Sequence, residues 1–272
     1  MILPEETSQT YALVTGASKG LGKSFALELA RRKINTILAA LPGEKVGMVC
    51  EQCKSFGADS VFYETDLLKK ENIIELTKWV NKTYKLNILI NNAGHGATHS
   101  FAECSLDIID SLIQLNVTAT SLITHQLLPN LISNRPAHIL NVSSMASFSP
   151  MGYKAVYSAA KRYIQHFSKA LEQELKSVGI SIAVVHPGPM KTNAEVIERI
   201  NHHKFFGKFG LLEPEYVASE SIRRMLKGDS TILIGYASKV NWLMLTHVPS
   251  WIKLPLIARM IRKELESNNR LK

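Results

Sequence analysis

Cysteine is scarce in this sequence of 272 residues, which contains Cys50, Cys53 and Cys104. Three cysteines cannot build the disulfide framework of a small secreted domain. Cys50 and Cys53 form a Cys-x-x-Cys in a predicted helix, but no second Cys or His pair follows at metal-ligand spacing. The His202-His203 pair also lacks a Glu or Cys partner at such spacing. The sequence therefore predicts reduced thiols and no metal site.

A hydrophobic leader is also missing, because residues 1–10 are polar and acidic. We therefore expect a cytoplasmic protein. The net charge of +9 raises the question of nucleic acid, but Lys and Arg are scattered among the predicted helices and form no single stripe. No nucleic-acid recognition module is apparent either, so we predict no nucleic-acid partner.

The order of predicted elements is that of an α/β protein. A hydrophobic fraction of 46% and a charged fraction of 20% are typical of a compact soluble domain. The apolar runs predict strands at 11–15, 35–40, 60–64, 87–91, 136–142, 181–186 and 231–234, and helices at about 19–33, 43–56, 70–84, 105–131, 154–178 and 213–227. This alternation predicts a single-domain, Rossmann-type, doubly wound parallel sheet of about seven strands with helices on both faces. We expect a catalytic domain over 1–236 and a C-terminal amphipathic extension over 237–272.

A glycine-rich turn follows the first predicted strand. It reads Gly16-Ala17-Ser18-Lys19-Gly20-Leu21-Gly22 and leads directly into a helical pattern. Strand, glycine turn and helix N-terminus together form an anion site, because backbone N–H groups and the helix dipole both favour a pyrophosphate. The spacing is Gly-x-x-x-Gly-x-Gly, so an ordinary strand-to-helix turn remains an alternative for this loop alone.

Tyr157 and Lys161 lie four residues apart, thirteen residues after Ser144. On a helix this spacing places the phenol and the ammonium on one face. A free tyrosine ionises near pH ~10, and a neighbouring cation lowers that pKa, which makes tyrosine a usable general acid or base. The pattern predicts a proton-transfer site at Tyr157.

With these residues together, the chain resembles the short-chain dehydrogenase/reductase family over nearly its whole length. The matching positions, in chain order, are the cofactor loop with Gly16, Ser18, Lys19, Gly20, Leu21 and Gly22; Asp66 and Leu67 near the adenine; Asn92, Ala93 and Gly94; the tetrad Asn116, Ser144, Tyr157 and Lys161; and the segment with Pro187, Gly188 and Thr192. The resemblance implies that Tyr157 donates a proton to a carbonyl oxygen that Ser144 also hydrogen-bonds. It further implies that Lys161 bonds the nicotinamide ribose and that Asn116 positions a water that resupplies the proton.

Cofactor choice depends on the end of the second strand. An acid there would bond the ribose 2′-OH and repel a 2′-phosphate, but Ala40 and Leu41 occupy these positions. Lys19 lies where NADP-preferring members of this family often carry a basic residue. Many of them also place an arginine just after the second strand, where this chain has Leu41. We predict NADP(H) in preference to NAD(H), and hence carbonyl reduction. Lys45 is either a second phosphate ligand or a solvated charge.

Two segments bear on the substrate. The stretch over about 189–212 corresponds to the family's substrate lid, and its phenylalanines suit a hydrophobic substrate or the core beneath it. Residues 240–252 contain no Lys, Arg, Asp or Glu, and these thirteen residues are too few for the ~20 of a membrane span. Trp242 and Trp251 with flanking cations indicate a peripheral membrane-surface segment over 240–263. A helix pair that covers the pocket or forms a dimer contact is the alternative.

These observations predict an NADP(H)-preferring short-chain oxidoreductase (EC 1.1.1.-) that acts on a hydrophobic carbonyl/alcohol pair. Among its relatives the 3-oxoacyl-carrier-protein reductases and hydroxysteroid dehydrogenases look nearest, which implies lipid metabolism and a 3-oxoacyl, sterol-like or other lipid-like substrate. The resemblance also implies a homo-oligomer, dimer or tetramer. The alternative is a catalytically idle NADP-binding scaffold at a membrane surface, since folds outlast functions.

Overall fold

Seven parallel strands form one sheet in the computed structural model, which describes residues 9–190 and 211–269. The strand order is β3-β2-β1-β4-β5-β6-β7. The strands are β1 (Thr10–Thr15), β2 (Asn35–Ala40), β3 (Ser60–Glu64), β4 (Lys85–Asn91), β5 (Ala137–Val142), β6 (Ile180–Val185) and β7 (Thr231–Ile232). The order reverses between β1 and β4, and the crevice outside the carboxyl ends of strands at such a point is where open α/β sheets bind ligands.

Helices cover both faces of the sheet. They are α1 (Gly20–Arg31), α2 (Val46–Ser55), α3 (Lys70–Thr83), α4 (Leu106–Ile113), α5 (Thr120–Ser133), α6 (Ala155–Leu175), α7 (Pro214–Leu226), α8 (Tyr236–His247) and α9 (Ser250–Asn269). One core lies between the sheet and α1, α2 and α7, around Phe25, Leu29 and Ile222. The other lies beneath α3 and α5, around Leu76, Ile123 and Leu127. The single-domain, doubly wound fold predicted from the sequence is confirmed.

The predicted helix over 105–131 is interrupted in the structure. A π-helical turn, Gln114–Ala119, separates α4 from α5. Such turns are rare in proteins, but those that do occur are frequently found at functional sites. This one carries Asn116. The predicted helix is present over Leu106–Ser133, and only the widened turn within it was not anticipated, because apolar periodicity does not register such a turn. The last strand is also shorter than the predicted 231–234, since β7 ends at Ile232.

The chain from α4 through α5 is long and apolar. Residues Leu106–Ser133 have the length and the mean hydropathy, 1.2, of a candidate membrane span, and it is the one such stretch among the described residues. Leu112, Ile123 and Leu127 within it are buried against the rest of the domain, and the stretch carries Asn116 into the cleft. Although only 28% of its most apolar window is buried, these contacts make it a helix that packs on the domain along one side.

Candidate active site

The glycine loop folds tightly at the carboxyl end of β1. Gly16 and Gly20 adopt φ values of +66° and +54°, which side-chain-bearing residues rarely adopt. A Cβ on Gly22 would overlap the carbonyl oxygen of Gly16, so the first turn of α1 can pack here only as glycine. The loop therefore presents bare backbone at a helix N-terminus, which is the chemistry that a pyrophosphate requires. Leu21 points away from this surface, into the core.

A second segment fastens this loop in place. The Thr15 hydroxyl accepts hydrogen bonds from the backbone N–H groups of Asn92 and Ala93, each at 3.0 Å. In return, the Asn92 side-chain amide donates to the carbonyl of Thr15 at 2.9 Å and to that of Gly16 at 3.2 Å. Asn92 and Ala93 thus tie the loop after β4 to the loop after β1, which fixes the floor of the crevice.

Glu44 is a site residue that the sequence reasoning missed. Its carboxylate accepts a hydrogen bond from the Ser18 hydroxyl at 2.6 Å and forms an ion pair with Lys19 at 2.5 Å. Burial alone would raise the pKa of Glu44, but the bonds from Lys19 and Ser18 outweigh burial and lower that pKa. The carboxylate is therefore held as an anion beside the N-terminus of α1. The sequence search stopped at Ala40 and Leu41, whereas the acid stands four residues beyond β2.

Asp66 and Leu67 lie just after β3, beside the end of β2. The Asp66 carboxylate accepts a hydrogen bond from the backbone N–H of Leu68 at 3.0 Å, and its carbonyl accepts one from Asn72 at 3.1 Å. Leu67 is buried in the core under α3. The turn is thus preorganised at the rim of the crevice, where the family resemblance predicts the adenine.

Ser144 and Tyr157 meet across the crevice. Ser144 directly precedes a short 3₁₀ helix, and its hydroxyl oxygen accepts a hydrogen bond from the backbone N–H of Ala146 at 3.1 Å. The hydroxyl proton is then free to face the Tyr157 phenol, whose pKa the Ser144 side chain lowers. Tyr157 projects from the first turn of α6. The predicted serine–tyrosine pair is therefore assembled.

Lys161 lies one turn after Tyr157 on α6 and is almost completely buried, at 6% exposed. Its ammonium donates to the carbonyl of Val142, at the end of β5, at 3.1 Å. The ammonium lies 5.9 Å from the centre of the Tyr157 ring. Burial lowers the pKa of Lys161 from 10.5 to about 8, so the group can exchange a proton near neutral pH.

The expected lowering of the Tyr157 pKa is not seen in the structure. Burial raises that pKa, and the hydrogen bond from Ser144 lowers it only in part. Lys161 does not act on the phenol here because its ammonium is directed to the backbone of β5. The prediction that Lys161 tunes Tyr157 was therefore wrong for this arrangement, and Tyr157 is held as a protonated phenol.

Asn116 points from the π-helical turn into the same space. Its amide nitrogen donates to the carbonyls of His95 and Leu112, both at 3.0 Å. Its side-chain oxygen Oδ1 is buried and has no hydrogen-bond partner among the residues that the structure describes. A Cβ built on Gly94 would lie 2.6 Å from this oxygen and 3.3 Å from the Lys161 ammonium. Gly94 therefore leaves open a small polar space between Asn116 and Lys161, of the kind that holds a bound water.

His186 supports the Ser144 turn from behind, and sequence reasoning missed it as well. It follows β6, is fully buried, and its Nδ1 lies 3.0 Å from the Ser147 hydroxyl and 3.3 Å from the Ser144 carbonyl. Burial lowers its pKa to about 4, so the ring is neutral at physiological pH and Nδ1–H can donate to these oxygens. The Phe148 ring packs on it at 4.5 Å. Only its place two residues before Gly188 could have indicated it.

Of the remaining predicted residues, some lie within the part of the chain that the structure describes and others lie outside it. Pro187 and Gly188 lie after β6, and the carbonyl of Pro187 accepts a hydrogen bond from the backbone N–H of Met145 at 3.1 Å. Thr192, and the lid residues over 191–210, fall outside the described residues. Within the described part of the chain, no three His, Cys, Asp or Glu side chains cluster as metal ligands. Cys50 and Cys53 are buried thiols, and burial raises the pKa of Cys53.

Fold and site together define a dinucleotide-binding α/β protein with a serine–tyrosine–lysine–asparagine cluster over its cofactor crevice. The sequence of residues 10–201 matches the model of the short chain dehydrogenase family. The chain belongs to that family.

The similar proteins include one that is named a reductase and one that is named inactive. Inactive hydroxysteroid dehydrogenase-like protein 1 of Homo sapiens is 29% identical, over 93% of this chain and 78% of its own. Very-long-chain 3-oxoacyl-CoA reductase of Anas platyrhynchos is 30% identical, over 71% of this chain and 64% of its own. A short-chain dehydrogenase from Sphingobium yanoikuyae, solved with NADPH, has the same fold, with a TM-score of 0.75 and 23% identity over 86% of this chain and 92% of its own.

Proposed function

We propose that this protein is an NADP(H)-preferring oxidoreductase that moves hydride between the cofactor and a hydrophobic carbonyl/alcohol pair, within the class that acts on CH–OH groups (EC 1.1.1.-). The observation that carries the proposal is the convergence of Ser144, Tyr157, Lys161 and Asn116 above a glycine cradle. Family membership alone would leave activity undecided, because the family includes a relative named inactive.

A bound nicotinamide would supply or accept the hydride. Tyr157 then acts as the general acid in carbonyl reduction, since its raised pKa keeps the phenol protonated. Ser144 donates a hydrogen bond to the same carbonyl oxygen and stabilises the negative charge that develops there. The bond from Ala146 to Ser144 orients this hydroxyl before a substrate arrives.

Lys161 and Asn116 form the route by which the proton is replaced. The Lys161 pKa of about 8 allows the ammonium to release and regain a proton near neutral pH. The unpartnered Asn116 Oδ1 and the open space at Gly94 fit a water between the two side chains. If the Lys161 ammonium turns from the Val142 carbonyl towards the phenol, it would return a proton to Tyr157 and regain one from this water.

Three lines support the cofactor and the substrate class. Lys19 stands at the N-terminus of α1, and β2 ends at Ala40 and is followed by Leu41, with no acidic residue at either position. The S. yanoikuyae neighbour was solved with NADPH. The A. platyrhynchos relative is named for a 3-oxoacyl-CoA substrate, which favours a 3-oxoacyl or another lipid-like carbonyl over a sugar.

The decisive test is turnover of NADPH and NADH with 3-oxoacyl thioesters, ketosteroids, aldehydes and simple ketones. Tyr157→Phe removes the proton donor and should abolish turnover without weakening NADPH binding. Tyr163→Phe on the same helix is the matched control, because its hydroxyl bonds Ser121 outside the crevice. Equal loss in both variants, or no loss in Tyr157→Phe, would remove Tyr157 from the mechanism.

A catalytically idle NADP-binding scaffold is the second candidate, favoured by the inactive human relative. It predicts tight NADPH binding, no turnover of any carbonyl in the panel, and no effect of Tyr157→Phe in any assay. Retention of the whole cluster in one space argues for the enzyme.

The proposal also covers organisation and location. We propose a catalytic domain over 1–236 and an extension over 237–272 in a cytoplasmic protein. A homo-oligomer is supported by the exposed apolar side chains of Leu106 and Ile113 on α4 and of Tyr163 on α6; sedimentation velocity would reveal a dimer or tetramer. A peripheral membrane contact through 240–263 is argued in the following subsection.

A further inference from the structure

The two C-terminal helices expose an unusual amount of apolar surface. Trp251 is 77% exposed, Leu256 57% and Met260 52% on α9, and Leu243 and Met244 are more than half exposed on α8. These five side chains are here called the C-terminal face. Soluble proteins rarely expose large apolar groups together unless the surface binds something.

The charge of this segment has one sign. Residues 236–263 contain Lys or Arg at 239, 253, 259, 262 and 263, and no Asp or Glu. Arg259 and Lys263 follow Leu256 by three and seven residues, so on α9 they share its side of the helix. Long basic side chains beside exposed apolar groups can bury their stems and keep their charges at a polar boundary. This is the composition of a segment that lies on an anionic lipid surface.

Neither helix is suited to cross a bilayer. α8 has 12 residues, against the ~20 of a span. α9 has 20 residues, but it contains Pro255 and charged residues from Lys253 to its end. Contact with the membrane would therefore be made along the helices, in the plane of the headgroups.

Both helices abut the catalytic segments. The Trp242 ring of α8 packs edge-on against Phe148 at 6.5 Å, in the 3₁₀ turn that begins after Ser144. Gly152 lies five residues before Tyr157, and a Cβ built on it would be 3.3 Å from the side chain of Ala258 on α9. The C-terminal face is thus carried by the elements that stand beside Ser144 and Tyr157.

We propose that the C-terminal face docks the protein onto an anionic lipid surface and sets the crevice beside it. The docking stands on exposure and charge alone. Its consequence, that a hydrophobic substrate enters from the bilayer, rests on the proposed function.

A second copy of the chain fits this face less well than a membrane does. An isologous contact would set the same cations of both copies against each other, since 236–263 contains no acid and the first acids of α9, Glu264 and Glu266, follow only after Lys263. Like charges across an interface oppose association. An anionic lipid surface instead offers apolar depth for Trp251 and negative charge for Arg259 and Lys263.

The test is sedimentation of the full chain with vesicles, without substrate. Phosphatidylcholine vesicles are compared with vesicles that contain about one third phosphatidylglycerol, at low and at high salt. We expect binding to the anionic vesicles only, weakened by salt, because surface charges are screened. Equal binding to neutral vesicles, or no binding to either, would overturn the proposal.

Paired variants locate the contact. The double variant Trp251→Ser, Leu256→Ser should raise the lipid concentration for half-binding about tenfold or more, since it removes two apolar anchors. The control Met48→Ser, Tyr216→Ser removes side chains that are 63% and 53% exposed elsewhere and should bind like the parent. Equal weakening in both doubles refutes the assignment of the face.

Two further readouts separate the possible failures. Light scattering of the parent and of the first double variant tests whether the face is instead a dimer interface. If the parent is a dimer that does not bind vesicles and the variant is a monomer, the face is a subunit interface and the docking proposal is refuted. NADPH turnover on a water-soluble ketone should be unchanged in the first double variant. Vesicle binding without any turnover would leave the docking intact and reject the proposed enzyme.

Discussion

Replacement of Lys161 by methionine should make the protein more stable at neutral pH while removing its activity. Lys161 is only 6% exposed. Its ammonium donates a hydrogen bond to the backbone carbonyl of Val142. Methionine has a similar length and no charge, so it can fill the same space. The variant therefore exchanges a buried cation for an apolar side chain.

The magnitude follows from the lowered pKa. Lowering the Lys161 pKa from 10.5 to about 8 means that the buried ammonium destabilises the fold by about 3 kcal/mol below pH 8. The unfolded chain binds the extra proton between pH 8 and about 10.5, so stability rises with pH across this window and the penalty vanishes above it. Loss of the bond to Val142 costs about 1 kcal/mol. The net gain for Lys161→Met is then about 2 kcal/mol at pH 7.

Urea unfolding at pH 7 and at pH 10 measures both terms. We expect Lys161→Met to exceed the parent at pH 7 and to lose most of that advantage at pH 10. Lys169→Met, an exposed lysine two turns further along α6, is the control and should change stability little at either pH. A destabilised variant at pH 7, or an advantage independent of pH, would show that the ammonium is not held at an energetic penalty.

Three other substitutions address the cofactor crevice. Glu44→Gln removes the anion beside the glycine loop and should lower the Kd of NADPH about two- to fivefold, the range of one exposed ion pair. The Kd of NADH should not change. The control Glu51→Gln, which breaks the exposed ion pair between Glu51 and Lys54 on α2, should alter neither Kd in direct binding assays. Gly22→Ala should abolish NADPH binding and lower the Tm by several degrees because its Cβ overlaps backbone, whereas Gly47→Ala meets only ordinary contacts at 3.5 Å and should preserve binding. Gly94→Ala should reduce kcat about tenfold or more through displacement of the site, with NADPH affinity reduced far less, as steady-state kinetics would show.

Much of the fold was accessible from the sequence because the strands are continuous apolar runs. Leu13, Leu38 and Leu89 lie in strands buried on both faces, and such strands carry a strong signal. The π-helical turn at Asn116 carried no such signal, since one added residue per turn leaves the apolar pattern nearly intact. The Asn116 amide there donates to the carbonyl of Leu112 within the helix and to that of His95 in the loop after β4, and the contact with His95 is tertiary.

The site divides in the same way. Tyr157 and Lys161 were predictable because a single helix fixes their relation, and spacing along the chain reports it directly. Glu44 was not, because the turn after β2 decides whether its carboxylate reaches Ser18, and no periodicity describes a turn. The raised pKa of Tyr157 was also hidden, since burial and the direction of the Lys161 ammonium are properties of packing.

The distribution of unfavourable groups favours an enzyme over a scaffold. The buried Lys161 ammonium and the unpartnered Asn116 oxygen both destabilise the fold, and both border the space left open at Gly94. Binding of a pyrophosphate to the glycine loop requires neither group, because the loop is fixed by Thr15 and Asn92. Departures from packing rules tend to mark functional sites. Here they coincide with the groups that proton transfer to Tyr157 would need, so the penalty and the proposed chemistry have the same location.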